Sequence, residues 1–249
     1  MCGRFVSVSS PQLLVERFGV AETAVESREP DYNVTPRAPV PIIRERPSRQ
    51  AHDDSITRVL SIVRWGLVPS WAENTAIGDK LINARAETIT EKAAYKRSFA
   101  RRRCIVPADA FYEWRPTRST SAKRPPRQPY LVHRRDGEPM AFAGLWEIWR
   151  DPAVAGDDDP AAWVRSCAIV TTRANELLEP IHSRMPVMLA EQDWDTWLDP
   201  ETGDVAALEE MLRPAPDDEL EIYPVTKRVN SPDNNDPDLV RRVEPDTLL

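Results

Sequence analysis

The chain has 249 residues, with 33 Lys plus Arg against 40 Asp plus Glu, three cysteines, 24 prolines and only eight glycines, so it can bury a full core and brace its loops with proline. No apolar run is long enough to cross a membrane, and Arg4, Ser7, Ser9 and Ser10 interrupt any signal-peptide reading, so a cytoplasmic protein is expected. Cys2, Cys104 and Cys167 lie far apart with no Cys-x-x-Cys pair, which argues against a zinc site or a disulfide framework. Along the chain, Ser10-Pro11 reads as N-cap and first turn of a helix ending at Gly19, with Leu13, Leu14 and Phe18 on its buried face. Tyr32–Pro36 is a turn before a short strand near Val40–Ile43, and Arg46–Ser55 is a polar hairpin loop. Arg58–Trp65 alternates and is rich in β-branched residues, a strand. Thr90 to about Arg101 suits an amphipathic helix with Ala93, Ala94 and Phe99 inside. Cys104–Trp114 is strand-like, and Arg115–Gln128 is a basic, proline-rich loop. Pro129–His133, Met140–Trp149 and Val164–Thr172 read as strands, with an acidic connection at Asp151–Ala162. Asn175–Glu179 reads as a helical turn or two. Helices near Glu191–Leu198 and Asp204–Leu212 precede a last strand around Leu220–Val225 and an acidic, partly ordered tail. Strands outnumber helices without regular alternation, which favours one mixed, largely antiparallel α+β domain over residues 1–230, followed by a tail over 231–249.

Several residues offer chemistry. Removal of Met1 ahead of the small Cys2 would leave an amine and a thiol on adjacent carbons. An α-amine titrates at about 7.7–8.0 and a lysine at about 10.4, so near pH 7.5 roughly a hundred-fold more of the former is neutral and able to attack an aldehyde. The thiol, near 8.5 in isolation, is then placed to close on the imine as a five-membered thiazolidine. Of the three histidines, His182 sits in a loop between Ile181 and Ser183-Arg184, closed by Pro186, whereas His52 and His133 lack suggestive neighbours. Glu113 lies among Phe111, Tyr112 and Trp114. Burial there would raise its pKa and make it a usable acid or base, while strand alternation would turn it to solvent, and the local pattern leaves both open. Asn83 either orients a reacting group or satisfies backbone. Trp65, Trp71 and Trp114 are core residues or, if exposed among arginines, a stacking surface for unpaired bases. The net charge of −7 conceals a split: residues 1–150 carry +8 and residues 151–249 carry −15, so a basic face remains open to a phosphate backbone.

Cys2-Gly3-Arg4-Phe5, Tyr32–Pro36, Arg64-Trp65-Gly66 with Pro69 and Trp71, Leu81–Thr88, Cys104–Trp114, Ala143-Gly144, Ile169–Thr172 and Ile181–Pro186 occur in that order. Together they resemble the SOS response-associated peptidase (SRAP) family of abasic-site processing proteins, from Cys2 to about Asn230. The resemblance implies a mixed α+β domain around a curved antiparallel sheet that crosslinks covalently to abasic sites in single-stranded DNA. By the same resemblance Cys2 is the nucleophile and Asn83, Glu113 and His182 line the site. Arg4, Arg85 and Arg184 hold flanking phosphates, and Asn33, Pro36, Trp65 and Thr171 match positions near the DNA channel. No metal, cofactor or membrane partner is implied, and the expected state is a monomer. The acidic second part and the Asp157–Pro160 insertion depart from an expectation of general basicity. Three rivals stand beside this reading: an N-terminal-nucleophile hydrolase like the glutamine amidotransferases, which also begin Met-Cys-Gly; a cysteine peptidase using Cys2 with His182; and a non-covalent single-stranded-DNA-binding module.

Overall fold

The computed structural model describes residues 2–47, 56–116, 127–156 and 158–244. Thirteen strands occur in chain order: β1 Phe5–Ser7, β2 Glu22–Thr23, β3 Asp31–Val34, β4 Pro39–Pro47, β5 Ile56–Trp65, β6 Asn83–Arg85, β7 Arg103–Ala108, β8 Ala110–Pro116, β9 Arg127–Arg134, β10 Met140–Arg150, β11 Trp163–Arg173, β12 Arg184–Pro186 and β13 Leu220–Pro224. Among the described residues four α-helices accompany them: α1 Pro11–Phe18, α2 Ala93–Arg101, α3 Trp194–Leu198 and α4 Val205–Glu210.

The strands form two sheets. In the larger, β11, β10, β7, β4 and β5 run side by side, and β5 returns to pair in parallel with β11. Two residue pairs, Arg64 with Ser166 and Trp65 with Cys167, close this ring into a small barrel. Period-two alternation splits its side chains cleanly. Val40, Ile42, Val63, Trp65, Val106, Phe142 and Ile169 share the inner face. Ile43, Leu60, Ile105, Ala143, Leu145 and Val170 point the other way, under the helices, against Phe18, Tyr95, Phe99, Trp194 and Trp197. The second sheet, in the order β13-β9-β8-β1-β3, lays Phe5, Val34, Phe111 and Val132 against the inner core. All pairs are antiparallel apart from β2–β5, β5–β11 and β6–β11, so the fold is the mixed, sheet-rich α+β domain expected.

Local sequence explains how the pieces are placed. The Ser10 hydroxyl caps α1 by accepting from Leu13 N–H at 3.2 Å, worth about 1 kcal/mol, and Gly19 ends it in the left-handed region at φ 61°. Gly66 and Gly78 meet backbone to backbone: a Cβ on Gly66, whose φ is 120°, would lie 2.7 Å from the Gly78 carbonyl oxygen. That approach seats the 75–80 turn on the end of β5 and delivers the chain into β6, which lies along β11 with Asn83 opposite Ile169.

Several expectations need correction. Leu13 is 43% exposed, and Leu14 and Phe18 carry the buried face of α1. α2 begins at Ala93, which is exposed, and buries Tyr95, Ser98 and Phe99. Cys104–Trp114 is two strands broken at Asp109, whose carboxylate accepts from the Val8 and Ser9 N–H groups and the Ser9 hydroxyl. Tyr32–Val34 belongs to β3, and the turn follows it. Asn175–Glu179 is a turn, organised by Asn175 Oδ1 accepting from Leu178 N–H at 3.0 Å. Residues 231–244 are fastened down: Leu239 is buried, Tyr223 Oη donates to the Val240 carbonyl at 3.0 Å, and Arg242 stacks on Tyr223. β4 and β5 form the expected hairpin, but its loop over 48–55, with His52, lies outside the described residues, as do 117–126 of the basic loop, Asp157 of the insertion and 245–249 of the tail.

Candidate active site

The N-terminal residues lead into β1, which pairs with β8 so that Phe5 faces Phe111. Running that register backward sets Glu113 opposite Gly3, next to Cys2. The Cys2 side chain is fully buried in the inner core, and its carbonyl accepts from Asn83 Nδ2 at 2.8 Å. Burial pushes the Cys2 thiol far up, and the charge of Glu113 adds to that, so the sulfur is a neutral thiol at neutral pH. Phe5 anchors the strand, with its ring edge-on to Trp65 at 5.1 Å.

Glu113 is 2% exposed, and burial pushes its carboxyl up to about 7. Local pattern could not decide this. Residues 110–113 of β8 are buried throughout because the strand lies between the inner core and a third cluster around Tyr112, Leu131 and Val225, so alternation carries no signal. His182 Nδ1 lies 3.9 Å from Glu113 Oε1. The same nitrogen lies 3.0 Å from the Arg184 N–H and 3.2 Å from the Arg184 carbonyl, so the Arg184 backbone holds the ring in either tautomer. Burial also lowers the His182 pKa, keeping the ring neutral at pH 7.

Asn83 is held from behind. Tyr95 Oη donates to the Asn83 carbonyl at 2.9 Å, and Trp65 Nε1 donates to the Ile82 carbonyl at 3.0 Å. The side-chain Oδ1 of Asn83 is buried with no hydrogen-bond partner among the described residues, an acceptor facing the Cys2 region. Four groups thus converge: a thiol, an amide, a carboxyl near neutrality and a neutral imidazole.

The residues expected from the family resemblance to lie near DNA divide into two sets. Arg85 is exposed on β6, and Pro36 is half-exposed in the turn after β3. The Arg184 guanidinium is gripped by Glu87 and donates to the Thr171 carbonyl at 2.6 Å. Arg4 donates to Asn33 Oδ1 and the Val229 carbonyl, both at 2.7 Å, and sits 6.0 Å from the Trp114 ring. Asn33, Trp65 and Thr171, by contrast, have buried side chains. Asn33 donates to the Ser231 and Asn234 carbonyls at 2.9 and 2.7 Å, so it ties the tail to β3. Trp65 is core, and the tryptophan open to a base is Trp71, 59% exposed. Sequence reasoning missed Tyr95, Glu87 and Arg127. Tyr95 stands on α2, outside every segment of the motif series, and Glu87 lies within Leu81–Thr88, where its residue type alone does not mark it. Arg127 opens β9, close enough for its charge to lower both groups, against the effect of burial at Glu113 and together with it at His182. No group of three metal-ligating side chains occurs among the described residues, and no helix there is long and apolar enough to cross a membrane.

The profile of SOS response associated peptidases (SRAP) matches residues 1–232. Abasic site processing protein YoqW of Bacillus subtilis (strain 168) is 39% identical over 241 residues, covering 96% of this chain and 99% of its own length. Abasic site processing protein HMCES of Rattus norvegicus is 33% identical over 231 residues, 84% of this chain and 64% of its own. Among solved structures, a protein from Bacteroides thetaiotaomicron superposes with a TM-score of 0.80 at 24% identity, covering 98% of this chain and all of its own, a likeness of fold. A phage-related protein from Bordetella bronchiseptica superposes at 0.63 with 31% identity, covering 91% of this chain and 95% of its own.

Proposed function

The chain belongs to the SOS response associated peptidase family, and on that premise we propose that it captures abasic sites in single-stranded DNA by forming a thiazolidine through Cys2. The observation that supports this most is the buried Glu113 carboxyl, raised to about 7 beside both His182 and Cys2. A carboxyl at that value accepts and returns protons at neutral pH, which both addition and dehydration require.

The steps follow from the groups present. Loss of Met1 exposes the Cys2 α-amine. The abasic sugar is mostly a closed hemiacetal, and the neutral His182 ring takes the C1′ hydroxyl proton and returns it to the ring oxygen, so the sugar opens to the aldehyde and a C4′ hydroxyl. The neutral amine adds to C1′, and Glu113 takes the proton that the nitrogen releases. Glu113 returns that proton to the new oxygen, giving a carbinolamine, and then carries a second proton from the nitrogen to the hydroxyl, so water leaves and an imine forms. The thiol adds across the C=N bond: sulfur bonds to carbon and its proton ends on nitrogen. Asn83 Oδ1 accepts from the amine and aims it. Without the thiol, the imine instead expels the 3′ phosphate by β-elimination, a weak lyase activity. A single strand spares the cost of extruding a paired nucleotide, and Trp71 offers a ring for its neighbours to stack on.

The test is a denaturing gel. Protein whose Met1 removal has been verified by mass spectrometry is incubated with a single-stranded oligonucleotide bearing one abasic site. A heat-stable shifted band, lost in Cys2→Ala, is expected; no band from the Cys2-terminated protein would refute the reading. Glutaminase and peptide-cleavage assays address the hydrolase and peptidase rivals, and binding of an undamaged strand without a covalent band would favour the non-covalent one.

A further inference from the structure

A feature far from Cys2 has no part in this chemistry. On the edge of β5 away from β4, β2 pairs with Val59 and Leu60, and β11 pairs with Arg64 and Trp65. Ser61, Ile62 and Val63, between them, have no strand alongside on that edge among the described residues. The gap opens a cavity of about 670 Å³ in the barrel wall, within the range of small-ligand sites. An adjoining hollow of about 340 Å³ shares Ile62 and Arg165 with it.

The lining is strongly basic. Arg44, Arg46 and Arg165 converge on the opening with Ser61 and Thr23, and Glu22 is the one carboxylate among the described lining residues. Arg44 is 8% exposed and lies 4.6 Å from the Trp146 ring, which Arg102 also approaches at 5.6 Å. A strand position that requires only packing would be filled more cheaply by an apolar side chain, because burying a guanidinium costs desolvation. Arg46 is anchored by Glu22 at 2.6 Å, so its fork is held at the rim. Arg165 is exposed on β11 at the opposite rim. Three guanidiniums around one cavity, against one carboxylate, match the charge and planar donor geometry that a phosphate oxyanion needs.

We propose that this opening between β2, β5 and β11 binds phosphate groups, carried either by a free phosphate or nucleotide or by the backbone of a nucleic-acid strand. The proposal goes beyond capture at Cys2 and does not depend on it. Calorimetric titration of the full chain tests it, with inorganic pyrophosphate in one arm and an undamaged single-stranded oligonucleotide in the other. Neither probe carries an aldehyde, so Cys2 is silent. Arg46→Glu and Arg165→Glu alter the rim and leave the packed core in place, and thermal unfolding verifies that they fold; Arg44→Met probes the floor. Saturable binding is expected in at least one arm, weakened roughly tenfold by each rim substitution. In the oligonucleotide arm the dependence on log salt should also fall by about one for each arginine removed. Binding of pyrophosphate alone identifies a free ligand, and oligonucleotide binding that the rim substitutions weaken identifies a strand. No saturable binding in either arm, or binding unchanged by both rim substitutions, overturns the proposal. Poly-glutamate binding in place of both probes overturns it in favour of an acidic peptide. Crosslinking at Cys2 by the same rim variants stays intact, so failure here is distinguishable from failure there.

Discussion

Two buried charged residues, one at each side of the barrel, are treated in opposite ways. Arg103, at the start of β7, is 2% exposed, and every direction of its guanidinium is answered by a carbonyl: Trp197 at 2.7 Å, Phe99 at 2.7 Å, Ala100 at 2.9 Å, and Asp199. Those are the last carbonyls of α2 and α3, so one side chain caps two helices and fixes both to the sheet. Glu113 is equally buried, yet its carboxyl is driven to about 7 and shares its surroundings with a thiol and an imidazole. A satisfied buried charge holds architecture together; a buried charge displaced from its ordinary value stores the means to move a proton. Burial alone does not separate scaffold from chemistry: Arg103 keeps its charge at neutral pH, whereas Glu113 is poised to change its own.

The contrast can be broken at several points. Cys2→Ser has the largest expected effect: the heat-stable adduct on a denaturing gel disappears, because an oxygen in place of sulfur does not trap the imine well, and strand cleavage by β-elimination takes its place. Glu113→Gln should slow adduct formation by about 10²–10⁴-fold in a single-turnover time course. The same variant should be more stable than the parent at high pH. The folded-state pKa of Glu113 is raised from 4.5 to about 7, so the stability it lends is full below pH 4.5 and is lost as pH rises through 7. At pH 8 the parent therefore carries a penalty that glutamine avoids, up to about 3 kcal/mol at 1.36 kcal/mol per unit, readable in urea denaturation at pH 5 and pH 8. An equal or lower stability for Glu113→Gln at pH 8 would remove the contrast with Arg103. Arg103→Met should cost about 3–5 kcal/mol in the same experiment, with no pH dependence between 5 and 8, since it strands four carbonyls rather than a titrating group. Tyr95→Phe deletes one hydrogen bond behind Asn83, so about 1 kcal/mol and a several-fold slower adduct are expected. Leu13→Ala, on the exposed side of α1, should change stability by no more than about 0.5 kcal/mol.

Much of this was legible in the chain. Ser10-Pro11 and Gly19 bracket α1 because capping is local chemistry, and the long strands from Arg58, Met140 and Val164 announce themselves by β-branched and aromatic runs. What escaped depends on contacts between distant segments. Asp109 breaks a strand because it answers Val8 and Ser9, a hundred residues away. The segment 231–244 is held by Asn33, Tyr223 and Arg242, although its composition resembles a loose acidic tail. Motif order picked out the candidates Cys2, Asn83, Glu113 and His182, while the burial of Glu113 came from a strand enclosed on both faces.

The two residue pairs that close the barrel have a consequence for how the chain reaches its native state. They join positions about a hundred residues apart, whereas β4–β5 and β8–β9 each pair strands that follow one another in the chain. Loop-closure entropy for the ring is incurred before its two pairs repay any of it, so these contacts are expected to form late. β6 pairs with β11 alone, and Asn83 takes its place only when that strand is docked. A folding intermediate with both hairpins complete and β1 docked on β8 would therefore hold the Cys2 segment with no amide beside it: chemical competence would be the last property the molecule acquires, and hydrogen exchange should show β6 protected after β4 and β5.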